Sequence, residues 1–418
     1  MSPTNLLGLI PHTLITSSPP YWLRQPRQGN RFSSPPDLAG QPFEPPLLLV
    51  RAHAVIDGAP VDLVRPVTAR WADPRRGERR RELQVQPRLN AVLKPALTLL
   101  TPARHEPLRW AVTVENATPQ PQTGEVGLRL AGAALGAGQT VTLAAGERRR
   151  VLLSAPAPAA GGVARLVWRT AADETPLSTV HDIDYDHLPP RQYLAPAEAR
   201  LAAVDVAVDR TRAIGYVPGP GDGVPEALAE LGLPVKPLDA GTLDEPGALD
   251  GLRTVVVGLR AYEVNDGLRR QNSRLLDWVR QGGTLVVLYQ KTPYATPGLA
   301  PFPLTYAEPH DRVTDETAAV RLLQPEHPLL SRPNGITPAD FTGWVQELGL
   351  YFAHTWDSAY QPLLASHDPG EPDRLGGLLV ANCGQGAYVY CGYALFRQLP
   401  VGVPGAYRLL ANLVAYGR

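Results

Sequence analysis

The sequence predicts a multidomain β + α/β protein, with tandem β-sandwich units in the N-terminal half and one α/β domain after them. Three observations carry this. Between residues 47 and 185, short apolar runs recur with no helical stretch between them, at the ~8–12-residue spacing of a sandwich. After Arg212, strands that are apolar throughout alternate with helical patterns, which is how a parallel sheet covered on both faces reads. A chain of 418 residues also exceeds one ordinary domain of ~100–200 residues.

Residues 1–45 are an extended segment rich in Pro, including Pro19, Pro20, Pro26, Pro35, Pro36, Pro42 and Pro45. Proline fixes φ and removes a donor, so regular pairing is not expected there. Tyr21 and Trp22 are its bulkiest anchors. Residues 46–95 read as a partial sandwich unit and 96–185 as a full one. The two share an echo. Gly77-Glu78-Arg79-Arg80-Arg81 and Gly146-Glu147-Arg148-Arg149-Arg150 open eleven-residue stretches that match at seven positions. Each reads as a glycine turn running into a strand. The first unit looks short at its beginning. Pro189 and Pro190 mark 186–212 as a linker.

The α/β domain spans 213–418. Strands are expected at Ala213–Val217, Val235–Leu238, Thr254–Leu259 and Thr284–Tyr289, with helices at Pro225–Leu231 and Leu268–Arg280. Proline at a helix start loses nothing, because its missing N–H would be unpaired there anyway. Gly384-Gln385-Gly386 sits between two apolar runs and predicts a hairpin, hence a mixed sheet edge. A closing helix is expected over Tyr407–Tyr416.

Composition excludes several functions. Forty basic residues balance forty acidic ones, which argues against nucleic acid as a partner. Only Lys94, Lys236 and Lys291 are lysines, so arginine runs reflect lysine replacement more than a polyanion site. No apolar run reaches the ~18–20 residues of a membrane span, and no basic n-region marks an export signal. The default location is therefore cytoplasmic. Cys383 and Cys391 cannot make a disulfide framework or a zinc site. No H-E-x-x-H or C-x-x-C occurs, and no cofactor is expected.

Local motifs are weighed against their structural readings. The Gly219-Pro220-Gly221-Asp222-Gly223 loop follows a strand, but it lacks the dinucleotide spacing and Asp222 would repel phosphate, so a tight turn is the better reading. Asp182, Asp184 and Asp186 alternate and could face a hard cation, yet the rest of a calcium loop is missing. They are the weak metal candidates. Cys383 lacks the glycine of a nucleophile elbow. The densest polar and aromatic stretch lies at 308–362. From it come the cleft candidates Asp311, Arg312, Asp315, Asp340, Trp344, Trp356 and Asp357. Flat aromatic faces beside carboxylates suit a sugar, although loop tryptophans equally anchor a core. Arg260 and Tyr262 follow one strand and Tyr289 ends the next, where ligands of such sheets bind.

Several of these stretches are similar to one family. Asp311–Glu316, Asp340–Phe352 and Phe396–Tyr407 resemble the C-terminal portion of long PIG-L (LmbE-like) family deacetylases, as do Pro20-Tyr21-Trp22-Leu23, Gly77-Glu78, Tyr185-Asp186-His187 and Gly219–Pro225. The resemblance implies β-sandwich modules followed by a flavodoxin-like, class I glutamine amidotransferase-like α/β domain. In that family a zinc deacetylase domain precedes them. Its His-Pro-Asp-Asp motif is absent from this sequence, and so is a cysteine elbow. The expected function is a non-catalytic accessory protein that binds a glycan or partners a separate deacetylase chain. The alternatives are a hydrolase working in the polar C-terminal cleft, or a dimerisation platform.

Overall fold

The computed structural model describes residues 20–417 except 26, 29 and 30. The proline-rich expectation over 1–19, the proline at 26 and the reading of the N-terminus as lacking an export signal lie outside the described residues. Strand outweighs helix, 38% to 16%, and the strands fall into several separate sheets, so the protein is β-rich and multidomain. The chain divides into two compact units. One holds residues 1–96, 107–156 and 163–199, and the other holds 97–106, 157–162 and 200–418.

In the first unit, Tyr21 is buried and its hydroxyl donates to the Gln41 carbonyl at 2.8 Å. A five-stranded sheet runs in the order Arg148–Ala155, Leu108–Asn116, Leu89–Lys94, Ser178–Ile183, Arg191–Pro196. Gln139–Leu143, Gln122–Leu130 and Gly162–Arg169 belong to a second sheet, in which they pair antiparallel. Burial alternates along these strands. Leu108, Trp110, Val112 and Val114 are inside while their neighbours are not. The period of two follows from the pleat, which sends successive side chains to opposite faces.

The echo has one local geometry. Gly77 and Gly146 both take left-handed backbone, at φ 74° and 69°, and each leads into a strand, Gly77–Glu82 and Arg148–Ala155. A glycine turn is what this φ demands. The partial sandwich expected over 46–95 differs from what forms. Leu49–Ile56 pairs with Ala59–Pro66, and Thr68–Asp73 with Gly77–Glu82, as two hairpins with no buried residue. Only Leu89–Lys94 joins a larger sheet. The expected linker 186–212 also differs, since it contains the strands Arg191–Pro196 and Glu198–Ala203.

A lone two-stranded hairpin is marginally stable in water. Limited trypsinolysis is therefore expected to cut within 51–81 while fragments spanning 213–418 stay whole. Early cleavage inside Thr254–Leu288 would contradict this.

The second unit is organised on a seven-stranded sheet. Its order is Val235–Pro237, Ile214–Val217, Thr254–Val257, Thr284–Leu288, Gly386–Cys391, Leu378–Cys383, Gln361–Pro362. The first five strands are parallel, and the last two are antiparallel to their neighbours. The hairpin at Gly384-Gln385 supplies the reversal. Successive residues feed two different apolar clusters. Val256, Val286 and Val389 enter one with Leu228 and Leu409, while Val255, Leu285 and Tyr388 enter the other with Leu275 and Val279. The sheet is thus buried on both faces, which explains why the central strands are apolar after an initial threonine. The helices contributing to those clusters include Val224–Glu230, Asp266–Arg280 and Pro404–Ala415. No helix among the described residues is long and apolar enough to cross a membrane.

Candidate functional site

The carboxyl ends of the parallel strands hold the most unusual backbone in the second unit. Arg260 follows Thr254–Val257 in left-handed conformation, with φ 51°. Gln346 and Tyr351 are left-handed as well, at φ 74° and 50°. Bulky residues rarely adopt this region, and such strain concentrates where function over-determines the backbone. Hydrogen bonds hold two of the three. The Arg260 N–H donates to the Tyr289 carbonyl at 2.9 Å. The Tyr390 hydroxyl donates to the Tyr351 carbonyl at 2.6 Å.

These residues cluster. Tyr289 lies 5.4 Å from the Tyr351 ring and stacks on Phe396 at 5.7 Å. His310 stacks on Tyr351 with centroids 3.9 Å apart and planes 4° from parallel. Arg260 donates from Nη2 to Glu263 Oε2 at 2.6 Å. That bond pushes the guanidinium pKa up and holds the Glu263 carboxyl below its usual range. Desolvation raises the Tyr289 phenol to about 12, so it remains a donor at neutral pH. Arg397 lies over the Phe396 ring at 4.8 Å and pairs with Glu347 at 2.5 Å. Tyr351, His310 and Phe396 are partly exposed. The surface therefore offers flat aromatic faces beside a fixed cation–anion pair.

Behind it, Gln290 is 1% exposed and cross-links the strand ends. Its Nε2 donates to the carbonyls of Gly258 and Leu288, and its Oε1 accepts from the Tyr262 N–H. The Gly219–Gly223 loop is a turn built around its carboxylate. Asp222 accepts from the Leu259 N–H at 2.8 Å and from the Tyr216 hydroxyl. Burial raises the Asp222 pKa.

A second polar cluster lies at Asp311 and Arg312. Asp311 is 8% exposed and meets Arg374 Nη1 at 2.7 Å and His354 Nδ1 at 2.8 Å. Arg312 reaches Glu371 at 3.2 Å. Arg374 also pairs with Glu371, at 3.1 Å.

The remaining sequence candidates engage partners within the fold, and two of them, Tyr262 and Trp344, are buried and not open to a cleft. Tyr262 is buried, and its hydroxyl donates to Asn272 at 2.6 Å. Asp340 accepts from the Thr337 N–H at 2.8 Å and from Arg408 at 2.7 Å, so it caps a turn. Trp344 is buried against Phe341 and Tyr393. Trp356 packs against an apolar cluster. Asp315 and Asp357 accept from the N–H groups two residues on, in Thr317 and Ala359. In the other unit, Asp184 pairs with Arg76 and Arg79, Asp186 with Arg76, and Asp182 accepts from Gln192. Guanidinium groups thus neutralise two of these three carboxylates, and an amide occupies the third. Among the described residues no cluster of His, Cys, Asp or Glu is placed to hold a metal ion. Cys383 and Cys391 are free and buried, and burial raises the Cys391 thiol to about 12.

Of the sequence candidates, Arg260 and Tyr289 fall in this cluster; Glu263, His310, Tyr351 and Phe396 were not among them. Glu263 was accessible through its i, i+3 spacing from Arg260. The aromatic residues come from segments far apart in sequence.

No protein-family model and no curated protein sequence matches the chain. Solved structures give faint likenesses. A β-galactosidase from Rahnella sp. R3 matches over 48% of this chain and 31% of its own, at 17% identity and TM-score 0.31. A Thermoplasma acidophilum protein assigned to GMP synthase matches over 49% and 94%, at 13% identity and TM-score 0.30. The CARDB domain of PF1109 from Pyrococcus furiosus matches over 27% and 94%, at 15% identity and TM-score 0.19. The chain thus spans under a third of the β-galactosidase it matches, and likeness at these scores fixes neither fold class nor function.

Proposed function

We propose that the chain is a non-catalytic accessory protein that binds a glycan at the Arg260–Tyr289–Tyr351 surface and works beside a separate deacetylase chain. The reading extends the resemblance to the C-terminal portion of long PIG-L family deacetylases. It treats the first unit as sandwich modules and the second as a flavodoxin-like domain similar to class I glutamine amidotransferases. One observation carries it: the His310–Tyr351 stack and the Arg260–Glu263 pair converge on Tyr289 at the carboxyl ends of parallel strands. Ligands of such sheets sit there. Aromatic faces take up the apolar faces of sugar rings, and a fixed ion pair supplies directed donors and acceptors.

Calorimetric titration of N-acetylglucosamine oligomers into the full chain tests it. Tyr351→Ala is expected to weaken binding about tenfold, the order of one lost aromatic contact. Unchanged binding by Tyr351→Ala, or deacetylation of the oligomers by the chain alone, would overturn the proposal.

A second reading is favoured by the buried Asp311 behind the half-exposed His354, an arrangement that fixes an imidazole for proton transfer. In that case the protein is a hydrolase, and Asp311→Asn should abolish turnover across a panel of glycan esters and amides. Turnover that survives the substitution rejects it.

A further inference from the structure

The hairpin formed by Leu49–Ile56 and Ala59–Pro66 has two unlike faces. Successive side chains of a strand alternate between faces, and directly paired residues share one. On the first strand Val50, Ala52, Ala54 and Ile56 therefore lie together. The register pairs them in turn with Arg65, Leu63, Val61 and Ala59. Seven of these eight positions are apolar. The opposite face mixes apolar residues with Arg51, His53 and Asp62. The solvated face of an antiparallel sheet is ordinarily the polar one, yet here the apolar face is open. Val50 is 49% exposed, Ile56 56% and Leu63 46%. Grouped apolar exposure of this kind marks an interaction surface. The sheet also has only two strands, too few for independent stability.

Charge identifies what fits. The one charge on the apolar face is Arg65, at the open end of the hairpin. Its Nη1 donates to the neighbouring Val64 carbonyl at 2.9 Å, and it makes no ion pair among the described residues. At the other end is the turn Asp57-Gly58, left-handed at both residues with φ 52° and 81°. Asp57 likewise has no ion-pair partner among the described residues. A strongly charged partner would bury unpaired groups against the apolar positions. A second copy of the same face would not. The middle of the register falls between the Ala52–Leu63 and Ala54–Val61 pairs. A two-fold axis through that point, between the two sheets and perpendicular to the strands, sets Val50 against Ile56 of the second copy and Val61 against its Leu63. The same operation lays each Arg65 over the opposite turn, where Asp57 stands. Both ion pairs thus close together, the self-complementarity that an isologous interface requires.

We propose that this face joins two copies of the chain, hairpin on hairpin, with the sheets stacked about 10 Å apart. The contact is small, far below the ~20–30 residues a side of a standard interface. The dimer is therefore weak and forms reversibly.

Sedimentation equilibrium of the full chain, at concentrations up to about 1 mM, tests the proposal. The expected result is a monomer–dimer equilibrium with a Kd on the order of 10–100 µM, the weak affinity of a small interface. Leu63→Lys sets a charge in the middle of the face and should leave monomer alone. Leu63 is exposed in the single chain, so the circular dichroism spectrum should not change. Asp57→Asn keeps a residue that tolerates left-handed backbone and removes only the charge. It should weaken dimerisation about three- to tenfold, the order of two exposed ion pairs. A monomer at every concentration would overturn the proposal and leave the face to a different partner. A dimer that survives Leu63→Lys would place self-association elsewhere on the chain and overturn it equally. A dimer as tight with Asp57→Asn as without it would reject the two-fold pairing.

Discussion

Asn412→Ala is expected to destabilise the second unit by about 3 kcal/mol, near the upper end of single substitutions. Asn412 has no exposed surface. Its Nδ2 donates to the Leu329 carbonyl at 2.9 Å and the Asn334 carbonyl at 2.8 Å. Its Oδ1 accepts from the Asn334 backbone N–H and side-chain Nδ2, both at 3.0 Å. All four capacities of the amide are used. Asn334 in turn bonds both backbone groups of Ala207, so two amides join the closing helix to two separate segments. Truncation leaves the Asn334 N–H and two carbonyls without their partner, at about 1–3 kcal/mol for each group that water cannot reach. Asn412→Leu, which fills the space, should recover little of the loss. The measurement is the urea transition of the second unit, followed separately because a two-unit chain need not unfold in one step. A loss below about 1 kcal/mol would mean the amide is not structural.

That network was invisible in the sequence, and the reason is general. Thr254–Val257 and Thr284–Leu288 could be read as buried strands because an unbroken run of apolar residues encodes burial on both faces by itself. The closing helix was legible through Leu409, Leu410, Leu413 and Val414, although it begins at Pro404 and not at Tyr407, since the proline supplies the first turn. What local pattern cannot carry is pairing at a distance. Asp340 and Trp344 look like a binding pair in sequence, and in the structure the Trp344 Nε1 donates to the Asp340 carbonyl at 2.9 Å inside the core. Tyr351 and His310 lie 41 positions apart and become one stacked surface only when Asp311–Val313 pairs with Gly349–Phe352. Left-handed φ at Arg260 or Tyr351 leaves no mark in composition, because the neighbours that impose it come from other strands.

Gly219→Ala is the second large effect expected, and it bears on the site directly. A Cβ at residue 219 would lie 1.7 Å from the Leu259 carbonyl oxygen and 2.6 Å from its carbon. Both are backbone atoms, so no side chain can swing away. The loop after Ile214–Val217 must retreat, or the turn carrying Arg260 must move. Overpacking of this kind costs about 1–3 kcal/mol, and here it also threatens the Asp222 bond to the Leu259 N–H. If glycine serves this close approach, Gly219→Ala lowers the melting temperature and weakens N-acetylglucosamine oligomer binding together. Gly221→Ala separates approach from conformation: nothing lies within 4 Å of a Cβ there, but φ is +71°, so the cost is backbone strain of about 1 kcal/mol. The order of losses should therefore be Gly219 above Gly221. If Gly219→Ala were as stable as the native chain, the packing of this loop against Leu259 would not be what positions Arg260, and its N–H bond to Tyr289 and its ion pair with Glu263 would have to fix it.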